Sequence, residues 1–474
     1  MTADLVVVMA YLAVVILIGL RFSGAKTVQD YFLGNRSIPW LVACFSIVAT
    51  ETSTLTFISV PGLAYVQGMG FLQIALGYMA GRVLVATLLI PRYFEGRFET
   101  VYAFIQNRFD VGSRRIMSGI FHVTRLLADS VRLFATAIPL SVITRWDLRI
   151  SILVIGAATL AYTYYGGLRS VAVVDSVQLA LYLTCAVTGF FLIASQMGVS
   201  VQTLFSQIPR ADLKILFTGF EPDSPGVLKS YNIFSGLIGG AFLSFASHGT
   251  DHLLVQRVLA CRNKRSAQKA MIASGVVVGF QFFLFLLLGL FIKALLGGQH
   301  FVRSDAVMPY FIVNHIPAGL RGLMLAGIFA AAMSTLSSSI NSLSSSTAVD
   351  LFGIGERGLS DRKQVALSRL FSIVWAGVIV GVSLLLRNTT SPLVEVGLSI
   401  ASVTFGGMTG IFLLGRFFEG LDSRAAISGV MISIAVNVFV VFGTSIFWLW
   451  TVVIGCAVSF GSALLLNVAL RRKA

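Results

Sequence analysis

The sequence predicts an all-α polytopic membrane protein of about thirteen transmembrane helices, built on two five-helix halves repeated in inverted orientation. Three observations carry that prediction. Of 474 residues, 56% are hydrophobic and 12% charged, with mean hydropathy +0.88, against roughly 25% charged residues in a soluble domain. Apolar runs long enough to span a bilayer recur along the whole chain. Two of those runs are interrupted by polar residues at corresponding places, the sequence sign of an internal repeat with a midplane binding site.

The spans fall at roughly 4–21, 38–66, 70–92, 117–146, 149–166, 171–198, 232–255, 270–297, 320–351, 365–386, 391–417, 424–443 and 446–469. This divides the chain into a first helix and cytoplasmic loop (1–37), a first repeat (38–198), an extracytoplasmic loop (199–231), a second repeat (232–417) and two final helices (418–474). The 199–231 loop has room for short helices, and the half-apolar stretch 300–317 reads as a helix over the mouth of the bundle.

A net charge of +15 does not imply a nucleic-acid partner, because the basic residues cluster in alternate loops. Arg92, Arg97, Arg108, Arg114 and Arg115 fall in one, Arg257, Arg262, Lys264, Arg265 and Lys269 in another, and Arg471 to Lys473 at the end. That is the positive-inside pattern, which sets orientation in a cell membrane: amino terminus outside, carboxyl terminus cytoplasmic. The first apolar run has its positive residue after it rather than before, so it reads as a retained helix and not a cleaved signal peptide. Cys44, Cys185, Cys261 and Cys456 are far apart and suggest neither disulfides nor zinc.

The first interruption is ATETSTLTF (49–57), which places Glu51 among Thr50, Thr52, Ser53, Thr54 and Thr56. The second is SFASHGTD (244–251), in the first span of the second half. Unwound backbone at membrane depth persists only where it lines a cavity or binds something. The ninth span carries a run of hydroxyls, with Ser334, Ser337, Ser338 and Ser345 near one face. Small hydroxyl residues help helices pack closely, but this density also suits a hard cation, which takes oxygen ligands. Sodium fits better than a transition metal, since no set of soft ligands is present.

In the fourth span Arg125, Asp129 and Arg132 share one helical face. One acid against two arginines leaves a surplus positive charge, suited to gripping a carboxylate. Arg132 is the candidate for that contact, and Arg125, nearer the cytoplasmic end, is read as structural. His248 and His252 are four apart, but lack the Glu and third ligand of a zinc site. His248 lies at the break, where it can reach a substrate, while His252, Gln256 and Arg257 are placed near the cytoplasmic surface. Gln73, Thr404 and Phe405 are candidates to complete the cavity.

Four motifs carry a family resemblance. They are S-x-x-A-T-E-T-S-x-x-x-F-x-x-x-P-G-x-A-Y (46–65), Y-G-G-L-R-S-V-A-V-V-D-S-V-Q (165–178), G-T-D-H-x-x-V-Q-R (249–257) and A-A-A-M-S-T-L-S-S-S (330–339). Each is weak alone; together, in this order and over nearly the whole chain, they resemble the sodium/solute symporter family, whose members include sodium/glucose, sodium/proline and sodium/sialic acid transporters. The resemblance implies the LeuT-type form of the inverted repeat, sodium as the coupling ion and a small organic solute as cargo. It implies a main sodium site from the carbonyls of Ala49 and Thr52, the carbonyl of Ala331 and the hydroxyls of Ser334 and Thr335. Some members have a second sodium site, which matches Asp175, Ser334, Ser337 and Ser338. In the sialic acid branch an arginine on the fourth helix binds the substrate, and Arg132 is the nearest match.

Two departures stand out. The signature usually written TDQ is TDH here, with His252, and the position often small, polar or acidic is Glu51. Glu51 has three readings: balancing sodium, taking up a proton, or pairing with a buried arginine. A structural or electrostatic role is preferred over direct ligation, because buried charges are usually paired. With Thr52, Ser53, Thr54, Gln73, Arg132, His248 and Phe405 as the substrate contacts, the sequence reads as a sodium-coupled symporter of a carboxylate-bearing solute. A symporter of a neutral sugar or polyol, or a non-transporting sensor of the same fold, is the alternative. No nucleophile–base pair suggests an enzyme. Oligomeric state is left open.

Overall fold

The computed structural model describes residues 2–471 apart from 23, 223 and 387–392. Among the described residues the structure is helical, with no strand and one isolated parallel bridge between Ile38 and Cys261. Among the described residues, ten helices are long and apolar enough to cross a membrane, in keeping with the chain's hydropathy. In lipid, backbone polar groups must be satisfied within the segment, and the helix does this.

Two of the ten are at least twice the length of a single crossing. Thr54–Glu95 runs 42 residues and Leu148–Gln196 runs 49, where about 20 suffice. Inside the second, Gly167 has φ 56° and ψ −161°, outside helical space. Only glycine adopts this conformation without strain, and the Tyr31 carbonyl leaves no room for a Cβ there. The sequence reading places a boundary between spans at 166–171, and the kink falls on it.

The first nine of the helices named here are α1 (Thr2–Arg21), α2 (Trp40–Glu51), α3 (Thr54–Gln67), α4 (Gln73–Leu84), α5 (Val111–Thr144), α6 (Leu148–Gln196), α7 (Gly240–Gly249), α8 (His252–Leu259) and α9 (Lys264–Leu295). They are joined by α10 (Val307–His315), α11 (Leu320–Ser346), α12 (Asp361–Leu385), α13 (Leu393–Phe417), α14 (Ser423–Gly443) and α15 (Trp448–Arg471). The span containing α11 is the centre of the bundle: 94% of it is buried, against 22% for α1 and 28% for α15. Within the stretch 300–317 the structure forms helix α10, which packs against α3. The 199–231 connection contains the short helix Val201–Ser206. Further along it, Glu221 accepts hydrogen bonds from the backbone N–H groups of Thr218 and Gly219, both at 2.8 Å. These contacts lower its pKa to about 2.

Helices α4 and α7 approach closely through Gly77 and Gly81. A Cβ on Gly77 would fall on the Gly236 carbonyl, and one on Gly81 on the Ala241 carbonyl. Small residues at such crossings let backbones meet without a hydrophobic driving force. Gly77→Val is expected to destabilise the folded protein by about 1–3 kcal/mol through overpacking. A thermal unfolding midpoint equal to wild type would show that the crossing tolerates a side chain.

Candidate functional site

Both interrupted runs form real breaks. Helix α2 ends at Glu51, Thr52 (φ −79°, ψ 93°) and Ser53 (φ −86°, ψ 174°) are extended, and α3 begins at Thr54. Helix α7 ends at Gly249, Asp251 is extended (φ −91°, ψ 119°), and α8 begins at His252. Asp251 caps α8 by accepting from the Leu253 N–H at 2.9 Å. Extended residues between helix ends leave backbone carbonyls without intrahelical partners.

The breaks meet at one cavity of about 80 Å³. The first contributes Thr50, Glu51, Ser53 and Thr56, and the second contributes Ser247 and Leu253. Tyr78, Arg125, Arg132, Phe282 and Phe405 complete much of the wall. A second space of about 360 Å³, lined by Thr54, Ser59, Arg303 and Tyr310, lies between α3, α5 and α10.

The charges at the cavity are balanced, which corrects the arithmetic from sequence. Asp129 does sit between two arginines, 3.2 Å from Arg132 and 3.7 Å from Arg125. However, Arg125 is also paired with Asp251 from the second break, its Nε at 2.8 Å. Two acids therefore offset two arginines, and no surplus cation remains in the cluster. Arg125, expected to be structural, is held by these two ion pairs and also lines the cavity, its guanidinium 5.7 Å from the Phe405 ring centroid. On the opposite wall Glu51 pairs with Arg82, a fully buried residue that also donates to Ser274 at 2.8 Å. His248 lies 3.6 Å from Glu51.

A cluster of oxygens joins the first break to α11. Ser334 Oγ donates to the Ala49 carbonyl at 3.0 Å and reaches the Ala331 carbonyl at 3.1 Å. Thr335 Oγ1 donates to the Thr50 carbonyl at 3.2 Å. These residues are at most 3% exposed, so the cluster is shielded from bulk solvent, dense in hard oxygen donors and suited to a small hard cation. Thr52 is turned elsewhere, its hydroxyl exchanging hydrogen bonds with Gln281 on α9 at 2.8–3.0 Å.

A deeper cluster surrounds Asp175 on α6. Its Oδ2 accepts from Ser46 at 2.6 Å and from Thr50 at 3.4 Å, and lies 3.6 Å from Arg257 Nη2. Ser338 bonds Thr50 at 2.9 Å and also meets Arg257, while Ser337 caps back to the Ser334 carbonyl at 3.1 Å. Asp175 Oδ1 is buried with no hydrogen-bond partner. Arg257 thus corrects its sequence placement: it is fully buried, as are Gln256 and His252. Gln256 is held by the Phe32 carbonyl and Asn341, both at 2.9 Å, and His252 by Ser345 at 3.2 Å. A long charged side chain can enter a bundle when it finds a carboxylate there.

The chain matches the sodium:solute symporter family over residues 31–433. It belongs to that family. The symporter is 27% identical over 469 residues to the sodium/sialic acid symporter NanT of Aliivibrio fischeri, covering 96% of this chain and 90% of that one. It is 25% identical over 451 residues to the human sodium/iodide cotransporter, covering 91% and 67%. Its structure superposes on a substrate-bound, outward-open Na+-coupled sialic acid symporter with a TM-score of 0.88, at 26% identity and 98% coverage of both chains. That neighbour is described as revealing a novel Na+ site. Like the family, this chain is a sodium-coupled transporter and not an enzyme.

Of the symporter's expected substrate contacts, Ser53, Arg132 and Phe405 line the central cavity, and Thr54 lines the larger space beside it. Thr404 bonds Thr124 on α5 at 2.8 Å. His248 is 1% exposed and stands behind Glu51, bonded to Ser247 at 2.8 Å and to the Ser244 carbonyl at 3.1 Å. Gln73 is fully buried and ties the Gly70 carbonyl to the Phe217 N–H, both at 3.0 Å. Sequence reasoning missed Arg82, Asp251, Tyr78 and Gln281 as site residues. Arg82 and Gln281 did carry a signal, because each is a polar side chain within an apolar run.

Proposed function

We propose that the symporter imports a small carboxylate-bearing solute by alternating access, coupled to sodium bound between the first break and α11. The observation that carries this is the buried oxygen cluster of Ala49, Thr50, Ala331, Ser334 and Thr335 beside a cavity lined by Arg132. The cavity's own charges cancel, so one sodium and one carboxylate bind as a neutral pair, which limits the cost of burying either. Relatives that carry sialic acid and iodide, both anions, support the same sign of cargo. Thr52 contributes its carbonyl to the sodium site while its hydroxyl rests on Gln281. The second sodium takes Asp175, Ser337 and Ser338, with the unpartnered Asp175 Oδ1 as its charged ligand.

In this reading the helices make thirteen spans. The long segments divide near Gly68 and Gly167, and two five-helix halves each open with a broken helix. The amino terminus lies outside, and the 360 Å³ space under α10 is the outer vestibule. Sodium bridging α2 and α11 favours the outward-facing state, and coupling follows from its weaker binding to the other state. Glu51, held by Arg82, sets the field of the cavity without ligating the ion.

The test is sodium-gradient-driven uptake into proteoliposomes of labelled small carboxylates, with potassium as the control. Uptake is expected with external sodium only. Ser334→Ala should raise the half-saturating sodium concentration by about tenfold, the worth of roughly one hydrogen-bond-scale ligand. Unchanged sodium activation in a well-expressed variant would contradict the placement of the ion.

A further inference from the structure

Helix α8, which follows the second break, meets α11 along a seam of side-chain hydrogen bonds. His252 Nε2 lies 3.2 Å from the Ser345 hydroxyl, Gln256 Nε2 donates to Asn341 Oδ1 at 2.9 Å, and Arg257 donates to Ser338. The pairs run in opposite directions along the two helices, so they form rungs between antiparallel elements. All six residues are fully buried. From Ser334 to Ser345 is roughly 16 Å along α11, at about 1.5 Å per residue. Past α8 the chain enters the basic stretch Arg262, Lys264 and Arg265, which the positive-inside pattern assigns to the cytoplasm. In that orientation the seam stands between the sodium clusters and the cytoplasm.

The rung farthest from the sodium clusters is a titratable group. His252 Nδ1 is buried with no hydrogen-bond partner, and the Tyr102 and Phe121 rings pack on the imidazole with centroids 6.3 and 6.1 Å away. The ionisable groups around it are Arg257 on α8, Arg114 and His122 on α5, and Tyr102. Asp251, the preceding residue, is paired with Arg125, and Asp350, past the end of α11, with Arg114. His122 is itself engaged, Nδ1 with the Ser118 carbonyl at 2.6 Å and Nε2 with the Thr347 hydroxyl at 2.8 Å. A neutral imidazole bonded once to Ser345 fits this pocket. In the imidazolium both ring nitrogens carry a proton, so Nδ1–H would face no acceptor and the charge would sit beside two arginines. The residue usual at this place in the family signature, Gln, can make the same rung but cannot titrate.

We propose that His252 is a proton-sensitive latch on the α8–α11 seam, a positioning residue for sodium release rather than a ligand. Neutral, it holds α8 on α11 and keeps the cytoplasmic side of the sodium sites closed. When the seam parts and fills with water, the imidazole is free to take a proton near neutral pH, and the charged ring no longer fits its pocket. Sodium favours the closed seam and the proton the parted one, so the two oppose each other without sharing a site. The latch rests on the sodium reading above.

The experiment measures apparent sodium affinity of the purified protein by sodium-dependent thermal stabilisation, with potassium as control, between about pH 8 and about pH 5.5. The proteins are wild type, His252→Gln and Ser345→Ala. In wild type the affinity is expected to fall about tenfold as the pH is lowered through this range. His252→Gln keeps the rung without the titration, and its affinity should stay within about threefold of the high-pH wild-type value throughout. Ser345→Ala cuts the latch but leaves the imidazole, so its affinity at high pH should already lie near the low-pH wild-type value. A wild-type affinity that is flat with pH, or an equal fall in His252→Gln, would overturn the latch. Wild-type behaviour of Ser345→Ala would overturn it as well. Equal stabilisation by sodium and potassium at high pH would instead remove the underlying sodium reading, and the latch with it.

Discussion

Replacing Arg132 by glutamine is expected to lower the affinity for an anionic substrate on the order of 10²–10³-fold, because truncating one partner of a buried charge pair costs about 2–5 kcal/mol. The effect should fall mainly on binding rather than on folding. Asp129 loses one partner but keeps Arg125 at 3.7 Å and the Ser339 hydroxyl at 2.5 Å, so its carboxylate stays compensated. Arg132→Lys retains the charge without the planar fork, and an intermediate loss is expected from it. Labelled uptake and thermal stabilisation by the same carboxylate should fall together. Anion uptake within a few-fold of wild type in Arg132→Gln would sink the clamp and return neutral solutes to consideration.

The second large effect is structural. Arg82 is fully buried and is the charged partner that holds Glu51 at the cavity wall, with Ser274 bonded behind it. Arg82→Gln leaves Glu51 with only His248, at 3.6 Å. An uncompensated buried carboxylate costs about 3–5 kcal/mol, enough to deplete the folded population of a marginally stable protein. The double variant Glu51→Gln/Arg82→Gln removes both charges and should recover much of that loss. Folded yield and unfolding midpoint across the two single variants and the double give the coupling directly. A double variant no more stable than Arg82→Gln would show that the pair is not what makes Arg82 necessary.

The architecture was legible because its signals are local. Apolar run length marks a span, and a polar interruption such as ATETSTLTF marks a broken helix regardless of what packs against it. Both breaks appear where the interruptions lie, at Thr52–Ser53 and Thr250–Asp251. The partnerships were not legible, because pairing across a bundle has no fixed spacing in sequence. Arg125 and Arg132 share a helical face with Asp129, so that part of the cluster could be read. Asp251, far along the chain, could not be joined to it, and the charge count came out one too positive. Arg257 followed the same logic: its neighbours Arg262, Lys264 and Arg265 suggested a cytoplasmic loop, but Asp175 draws its side chain fully inside. Thr52 shows the limit at a single residue. Its carbonyl was assigned by resemblance, while its hydroxyl answers to Gln281 on another helix.

Radiolabelled sodium binding to the purified protein, competed by unlabelled sodium or potassium, tests the central claim most directly. Saturable binding displaced by sodium but not by potassium, and weakened about tenfold in Ser334→Ala, is the result expected of an ion held by Ala49, Ala331, Ser334 and Thr335. Binding that potassium displaces equally well, or that survives Ser334→Ala unchanged, would contradict a sodium site at the junction of the first break and α11.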